Sequence, residues 1–132
     1  MTILEAVGTY LAANGHGTLG TNLFLAVMPD EPDVMTCVYE TGGGAPDQTM
    51  GSAAWAIDRP TLQILCRAGR GDYPVARDEA ASIRALLGAV TEQTLSGINV
   101  MRISPSGGIL PIGEDPLGRP VVSINFDCMV RP

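Results

Sequence analysis

The 132-residue chain contains no lysine: its eight basic residues are all arginines, and 14 Asp and Glu give a net charge of -6. Binding to nucleic acid by charge neutralisation needs basic patches that face phosphates, so this balance argues against it. An acidic protein can still lie beside DNA that must pass without sticking. Aromatic residues are also few, at 5% of the chain, so aliphatic side chains and methionine must fill the core.

Long apolar runs and paired cysteines are absent as well. The longest apolar run, Leu23 to Met28, is far shorter than the ~20 residues that cross a bilayer, and the first residues lack a signal-peptide pattern. Cys37, Cys66 and Cys128 lie far apart in apolar strand patterns, which is typical of small buried residues in a reducing compartment. We therefore expect a protein that is made and kept in the cytoplasm.

Residues that could carry chemistry are equally scarce. His16 is the only histidine, and because no cysteine has a nucleophile signature, we interpret it as a solvated loop residue. The triplet Gly42-Gly43-Gly44 lacks the Lys-Ser/Thr ending of a phosphate loop, which favours a hairpin or assembly loop. The sequence therefore predicts no enzyme and no catalytic, cofactor-binding or metal site. A weak calcium site at the acidic turns 30–33 or 114–115 stays open, although the spacing of a calcium loop is absent.

The first part of the chain predicts a helix followed by a hairpin. Thr2 and Glu5 have the spacing of a capping box, and apolar residues at helical spacing follow, so we expect a helix at about 3–13. Buried strands are predicted at 23–28 and 34–40. The short segment Pro29-Asp30-Glu31-Pro32 between them cannot continue a strand ladder, which indicates a hairpin turn.

The rest of the chain predicts a long loop, a helix and four further strands. Turn-forming residues fill 41–58, which is typical of a binding loop or of one that orders on assembly. An amphipathic helix begins after Tyr73. Strands are predicted at 61–68, 98–103, 109–112 and 121–130. This order predicts a single α+β domain over residues 1–132, with a mainly antiparallel or mixed sheet of about five to six strands and two helices packed on one face.

Several short motifs follow one another in a specific order. They are Pro-Asp-Glu-Pro at 29–32, Val-Tyr-Glu-Thr-Gly-Gly at 38–43, Arg-Pro-Thr-Leu-Gln at 59–63, Arg67, and Tyr73 with Ala76. In this order the chain resembles the minor capsid and tail-terminator-like proteins of tailed bacteriophages. The resemblance implies a structural virion protein that has no catalytic residues. Its subunit would form a hexameric ring that caps the tail tube and joins it to the head connector.

The resemblance also implies partners and a location. The partners would be further copies of the chain, the tail-tube protein and the connector or neck proteins, with no membrane and with DNA passing through the ring without sequence-specific binding. The subunit would assemble in the host cytoplasm and end in the tail or neck of the virion. Neck, head-closure and other minor capsid proteins share its size and composition, so the position stays open. A runner-up from another class is a small cytoplasmic ligand-binding or enzymatic domain, monomeric, with a deep pocket near Trp55, His16 or Tyr73.

A ring of identical copies needs two unlike edges, and the charges predict where they lie. We expect Arg59, Arg67 or Arg70 to pair with acids of the next subunit in the turns 30–33 or 114–115; the alternative is that these arginines are solvated. Valine at Gly43 and Gly44 should leave the monomer folded but block assembly. The predicted interface residues are Gly42, Gly43, Gly44, Asp47, Arg59, Arg67, Arg70, Asp30, Glu31, Asp33, Ser106, Gly107 and Gly108.

Overall fold

The computed structural model describes residues 2–48 and 55–131, which form two helices and nine strands. The helices are α1 (Ile3–Ala13) and α2 (Tyr73–Gly88). The strands are β1 (Leu23–Leu25), β2 (Met35–Gly43), β3 (Asp47–Gln48), β4 (Trp55–Ile57), β5 (Pro60–Arg67), β6 (Thr91–Leu95), β7 (Ile98–Pro105), β8 (Leu110–Glu114) and β9 (Pro120–Arg131).

The main sheet has seven strands in the order β1-β2-β5-β9-β7-β6, and β8 pairs with β9. β9 is its central strand, since it pairs with β5 on one side and with β7 and then β8 on the other. β3 and β4 form a separate two-stranded sheet. The mixed sheet and the two helices confirm the α+β prediction, with one or two strands more than expected.

Both helices contribute to one apolar core against the same face of the sheet. α1 begins where expected, because the Thr2 hydroxyl accepts a hydrogen bond from the Glu5 amide at 3.2 Å. The predicted stripe of α2 is confirmed as buried. Its members are Ala76, Ala80, Ile83 and Leu87. These pack with the inward residues of β5 and β9, of which Phe126 is the largest fully buried side chain.

The predicted hairpin between the first two strands is wrong. β1 and β2 pair in parallel, with Leu23 opposite Thr36 and Leu25 opposite Val38. A parallel pair requires the connecting chain to return along the length of the strands, and residues 26–34, which we call the proline loop, make this return. β1 ends at Leu25, three residues short of the predicted end, so the prolines are not what ends it. The loop is long enough to cross back, and the buried side chains of Arg67 and Arg119 hold it in place.

One strand of the main sheet was not anticipated from the sequence. β6 (Thr91–Leu95) is polar at most positions and lacks the apolar alternation that marks a half-buried strand. It lies at the edge of the sheet, where it pairs only with β7, and Glu92 takes a positive φ of 46°. β6 forms because it pairs with β7 across the turn at Gly97. Its own residues therefore give little indication of a strand.

Candidate assembly surfaces

The proline loop is organised around the buried side chain of Arg67. The guanidinium Nη2 donates hydrogen bonds to the backbone carbonyls of Pro29, Asp30 and Pro32 at 2.8–3.0 Å, and Nε donates to the carbonyl of Asp33 at 3.1 Å. Arg67 is 4% exposed. One side chain therefore satisfies four loop carbonyls that β-sheet pairing leaves free, which fixes the shape of the loop.

A second buried arginine, Arg119, holds the same loop by its acidic side chains. Its guanidinium lies 2.9 Å from Asp30, 3.1 Å from Asp33 and 2.7 Å from Asp115. Partial burial acts to raise the pKa of Asp115, but hydrogen bonds from the Arg119 amide and guanidinium and from the Leu117 amide outweigh it and hold that pKa below its ordinary value. Arg119 thus ties the turn before β9 to the proline loop.

These contacts change the reading of the predicted charge pairs. Arg67 does meet the 29–33 segment, but in its own chain, and at 4% exposure it has no surface to offer a neighbour. Asp30 and Asp33 are likewise paired within the chain, with Arg119. Glu31 is exposed and forms no ion pair with any residue the structure describes. Sequence reasoning missed Arg119; its one signal was the acid four residues earlier in the chain, Asp115.

The second predicted surface is the glycine arm, residues 41–48 and 55–59. The part of the predicted loop at 49–54 lies outside the described residues. β2 continues through Gly42 to Gly43, and the short β3–β4 sheet follows. The arm carries one ion pair, between the guanidinium of Arg59 and the carboxylate of Asp47, both substantially exposed. Arg59 and Asp47 therefore meet each other within the chain.

The expectation that valine at Gly43 leaves the fold intact is wrong. Gly43 has a φ of +133°, and a Cβ there would lie 2.2 Å from the carbonyl oxygen of Arg59. Both the backbone conformation and the close approach require glycine. Gly44 is different, because a Cβ at that position would meet only the Arg59 side chain at 3.6 Å. Only the Gly44 half of that expectation stays a prediction.

A third surface is a groove on the outer side of α2, which we call the helix groove. It has a volume of about 520 Å³ and lies between α2 and the end of β7. Its walls include Arg77, Ala81, Arg84, Ala85, Gly88 and Pro105. The predicted turn Ser106–Gly108 borders it, since Arg84 Nη2 donates to the Gly107 carbonyl at 3.2 Å. The Nε of Arg84 is buried and has no partner within the described residues.

The remaining predicted cation, Arg70, is exposed. Its side chain lies against the turn at Gly118, within 3.3 Å of the position a Cβ would occupy there. It forms no ion pair with the part of the chain that the structure describes. The prediction that Arg70 contacts a neighbouring subunit therefore stays a prediction.

His16 is not the solvated loop residue that we expected. Its Nδ1 lies 2.8 Å from Glu79 Oε1 on α2, and its side chain is 12% exposed. The pair fastens the loop after α1 to the second helix, beside a hollow of about 200 Å³. That hollow is smaller than the 300–1,000 Å³ of ordinary small-molecule sites, so it is not the deep pocket near His16 that the ligand-binding alternative predicts.

The three thiols are buried, and their pKa values are raised. Burial raises the pKa of Cys37 to about 11, although the charge of Arg67 acts in the opposite direction, and burial raises the pKa of Cys66 and of Cys128 to about 12. Thiolates are therefore scarce at neutral pH. Within residues 2–48 and 55–131 no group of three His, Cys, Asp or Glu side chains is placed to hold a metal ion.

Comparison with known proteins identifies the class. The sequence profile of the bacteriophage tail terminator protein family matches residues 10–131. The chain therefore belongs to this family, which confirms the resemblance that the motifs indicated. The match supports a structural component of the virion. A search of curated proteins found no significant match.

Solved structures share the fold at low sequence identity. One chain superposes with a TM-score of 0.62 at 17% identity and covers 97% of this chain and 89% of its own length. A second chain comes from the virion of a native gene transfer agent particle, with a TM-score of 0.59 at 16% identity over 100% of this chain and 87% of that one. Among the described residues no helix has the length and apolar content needed to cross a membrane.

Proposed function

We propose that this chain is the tail terminator itself: a subunit that closes into a hexameric ring, caps the finished tail tube and offers its other surface to the head connector. The observation that carries the proposal is the family match over residues 10–131. The similar chain from a gene transfer agent virion supports a place in such a particle. Assembly takes place in the host cytoplasm before the tail joins the head.

The proposed mechanism is steric. A ring subunit needs two unlike edges for closure and a further surface for the tube. The chain offers the proline loop at one end of β2 and the glycine arm at the other, with the helix groove on the outer side of α2. The net charge of -6 suits a ring through which DNA passes without binding, because an acidic lining repels phosphates.

Light scattering over a concentration series, alone and with tail-tube protein, tests this function. We expect a closed multiple of the 13.8 kDa chain, six copies, that forms alone or on the end of the tube. Electron microscopy of the mixture should show tubes that stop growing when the protein is added. A strict monomer that binds neither tube nor connector contradicts the proposal.

The same experiment separates a terminator from a neck or head-closure protein. A terminator binds the end of the tube and limits its length without the connector. A neck protein binds the connector first and leaves tube growth unchanged. We expect the first behaviour, because the family that matches the chain is the tail terminator family.

A further inference from the structure

The arginines of this chain divide into two groups. Four of them form ion pairs within the described residues: Arg59, Arg67, Arg119 and Arg131. The other four form no ion pair with the residues that the structure describes: Arg70, Arg77, Arg84 and Arg102. In a chain with 14 acids and eight basic residues, cations left without a partner are the unusual feature.

Two of these free cations face the helix groove. Arg77 and Arg84 stand seven residues apart, two turns of α2, and small residues lie between them in the groove wall. The wall includes no acid among the residues described. Arg84 is already held by the Gly107 carbonyl, yet its buried Nε lacks an acceptor. A buried donor without a partner costs free energy, and a carboxylate entering the groove would relieve that cost.

The proline loop carries the matching anion. Glu31 is exposed at the middle of a segment whose backbone is fixed by Arg67 and whose neighbouring acids are bound by Arg119. A carboxylate on a fixed loop loses little conformational freedom on binding. Burying two arginines to hold nine loop residues is expensive, and rigid presentation of this acid would explain it.

The loop and the groove lie on opposite sides of α2 within one subunit. Val34, the last residue of the loop, lines the hollow that also contacts Val75 and Glu79, whereas Arg77 and Arg84 face the groove. The proline loop is bound by Arg119, beside the first residue of β9, whereas the groove wall at Pro105 pairs with Phe126. Pro120 and Phe126 are separated by six residues, roughly 20 Å along an extended strand. Two complementary surfaces that are separated in this way join one copy to the next, head to tail.

We infer that the helix groove of one subunit receives the proline loop of its neighbour, with Glu31 bound between Arg77 and Arg84. The inference rests on the proposed ring and names the contact that closes it. It replaces Arg59 and Arg67, which the structure pairs inside the chain, with two cations that are available. Arg–carboxylate geometry at such a contact sets the register between subunits.

Charge reversal on each side tests the contact. We expect Glu31→Arg and Arg84→Glu each to weaken association at least about tenfold, because a pair of like charges then forms at the contact. At the concentration where wild-type rings begin to form, neither variant alone should form them. An equimolar mixture of the two variants should form rings again. In an alternating ring every contact has opposite charges, so native mass spectrometry should find three copies of each. Arg102→Glu, which reverses an exposed arginine on β7, is the matched control and should leave rings intact.

The outcomes separate this inference from the proposed function. Rings that form normally from Arg84→Glu alone, or variants that stay apart on mixing, overturn the contact while the terminator function stands. A wild-type chain that never associates, with or without tail-tube protein, overturns both. Unfolding midpoints in urea should match the wild type for all three variants, since Glu31 and Arg102 have no ion pair among the described residues and Arg84 makes one hydrogen bond.

Discussion

The two loops that flank β2 are held in place in different ways. The proline loop before the strand is fixed by Arg67 and Arg119, two residues with 4% and 5% of their surface exposed. The glycine arm after the strand has a single ion pair between exposed side chains, Arg59 and Asp47, in the part that the structure describes. Both loops adjoin the same strand, but buried side chains hold the proline loop and exposed side chains hold the glycine arm.

This difference shows how one chain can offer two kinds of contact. A loop fixed by buried charges has its binding shape before a partner arrives, so it suits a contact that must repeat identically around a ring. A loop rich in glycine, held by a surface pair, contributes little to monomer stability. We expect it to serve a contact that forms late, with the tail tube.

The largest loss of stability should come from removing a buried arginine that holds the proline loop. Arg67→Met removes the donor of four carbonyl hydrogen bonds and should destabilise the fold by about 3 kcal/mol or more. Arg59→Met, on the arm, should leave the unfolding midpoint almost unchanged because its partner is solvated. Urea unfolding followed by circular dichroism measures both. Equal losses of stability from the two variants would mean that the proline loop is held no more firmly than the glycine arm.

A smaller effect should separate two adjacent glycines of the arm. Gly43→Ala forces a side chain into a φ of +133° and against the Arg59 carbonyl, at a cost of roughly 1–3 kcal/mol. Gly44→Ala has room and should be close to neutral. Thermal unfolding of the two variants gives the comparison. If Gly43→Ala is as stable as Gly44→Ala, the close approach of Gly43 to the Arg59 carbonyl is not present in solution.

The smallest expected effect is a loss of folding stability at acidic pH. The pKa of Asp115 is lowered in the folded chain, so the stability from its hydrogen bonds is complete above its unfolded pKa of about 3.8 and is lost as the pH falls through the lower folded value. We expect unfolding midpoints to fall below about pH 4, and Asp115→Asn to fall less steeply. Glu92→Gln should also reduce the slope, because the pair with Arg131 lowers the pKa of Glu92. A wild-type and an Asp115→Asn profile with the same slope would contradict the linkage.

The helices and the buried strands could be predicted because their signals are local. Thr2 caps α1, Pro74 starts α2, and alternation in Leu62, Ile64 and Cys66 marks β5 as half buried. Short motifs in order identified the family. These features depend on residues within a few positions of one another, which the sequence displays directly.

The parallel pairing of β1 and the role of the arginines could not be predicted in the same way. Arg67 meets carbonyls 34–38 positions earlier, and Arg119 meets Asp30 across 89 positions. In the sequence both arginines look like surface residues, since nothing local marks them as buried. The same holds for Glu79, the partner of His16, which is 63 positions away.

The place of β9 in the sheet has a consequence for synthesis. The strand pairs with β5, β7 and β8, all of which precede it in the chain. On the ribosome these strands emerge without the neighbour that joins them, and β5 and β7 are connected only once residues 120–131 have left the exit tunnel. The main sheet therefore closes only when β9 has emerged. Arg119 comes directly before β9, so its ion pairs with Asp30 and Asp33 form at the same late stage, and the proline loop takes its final shape only then.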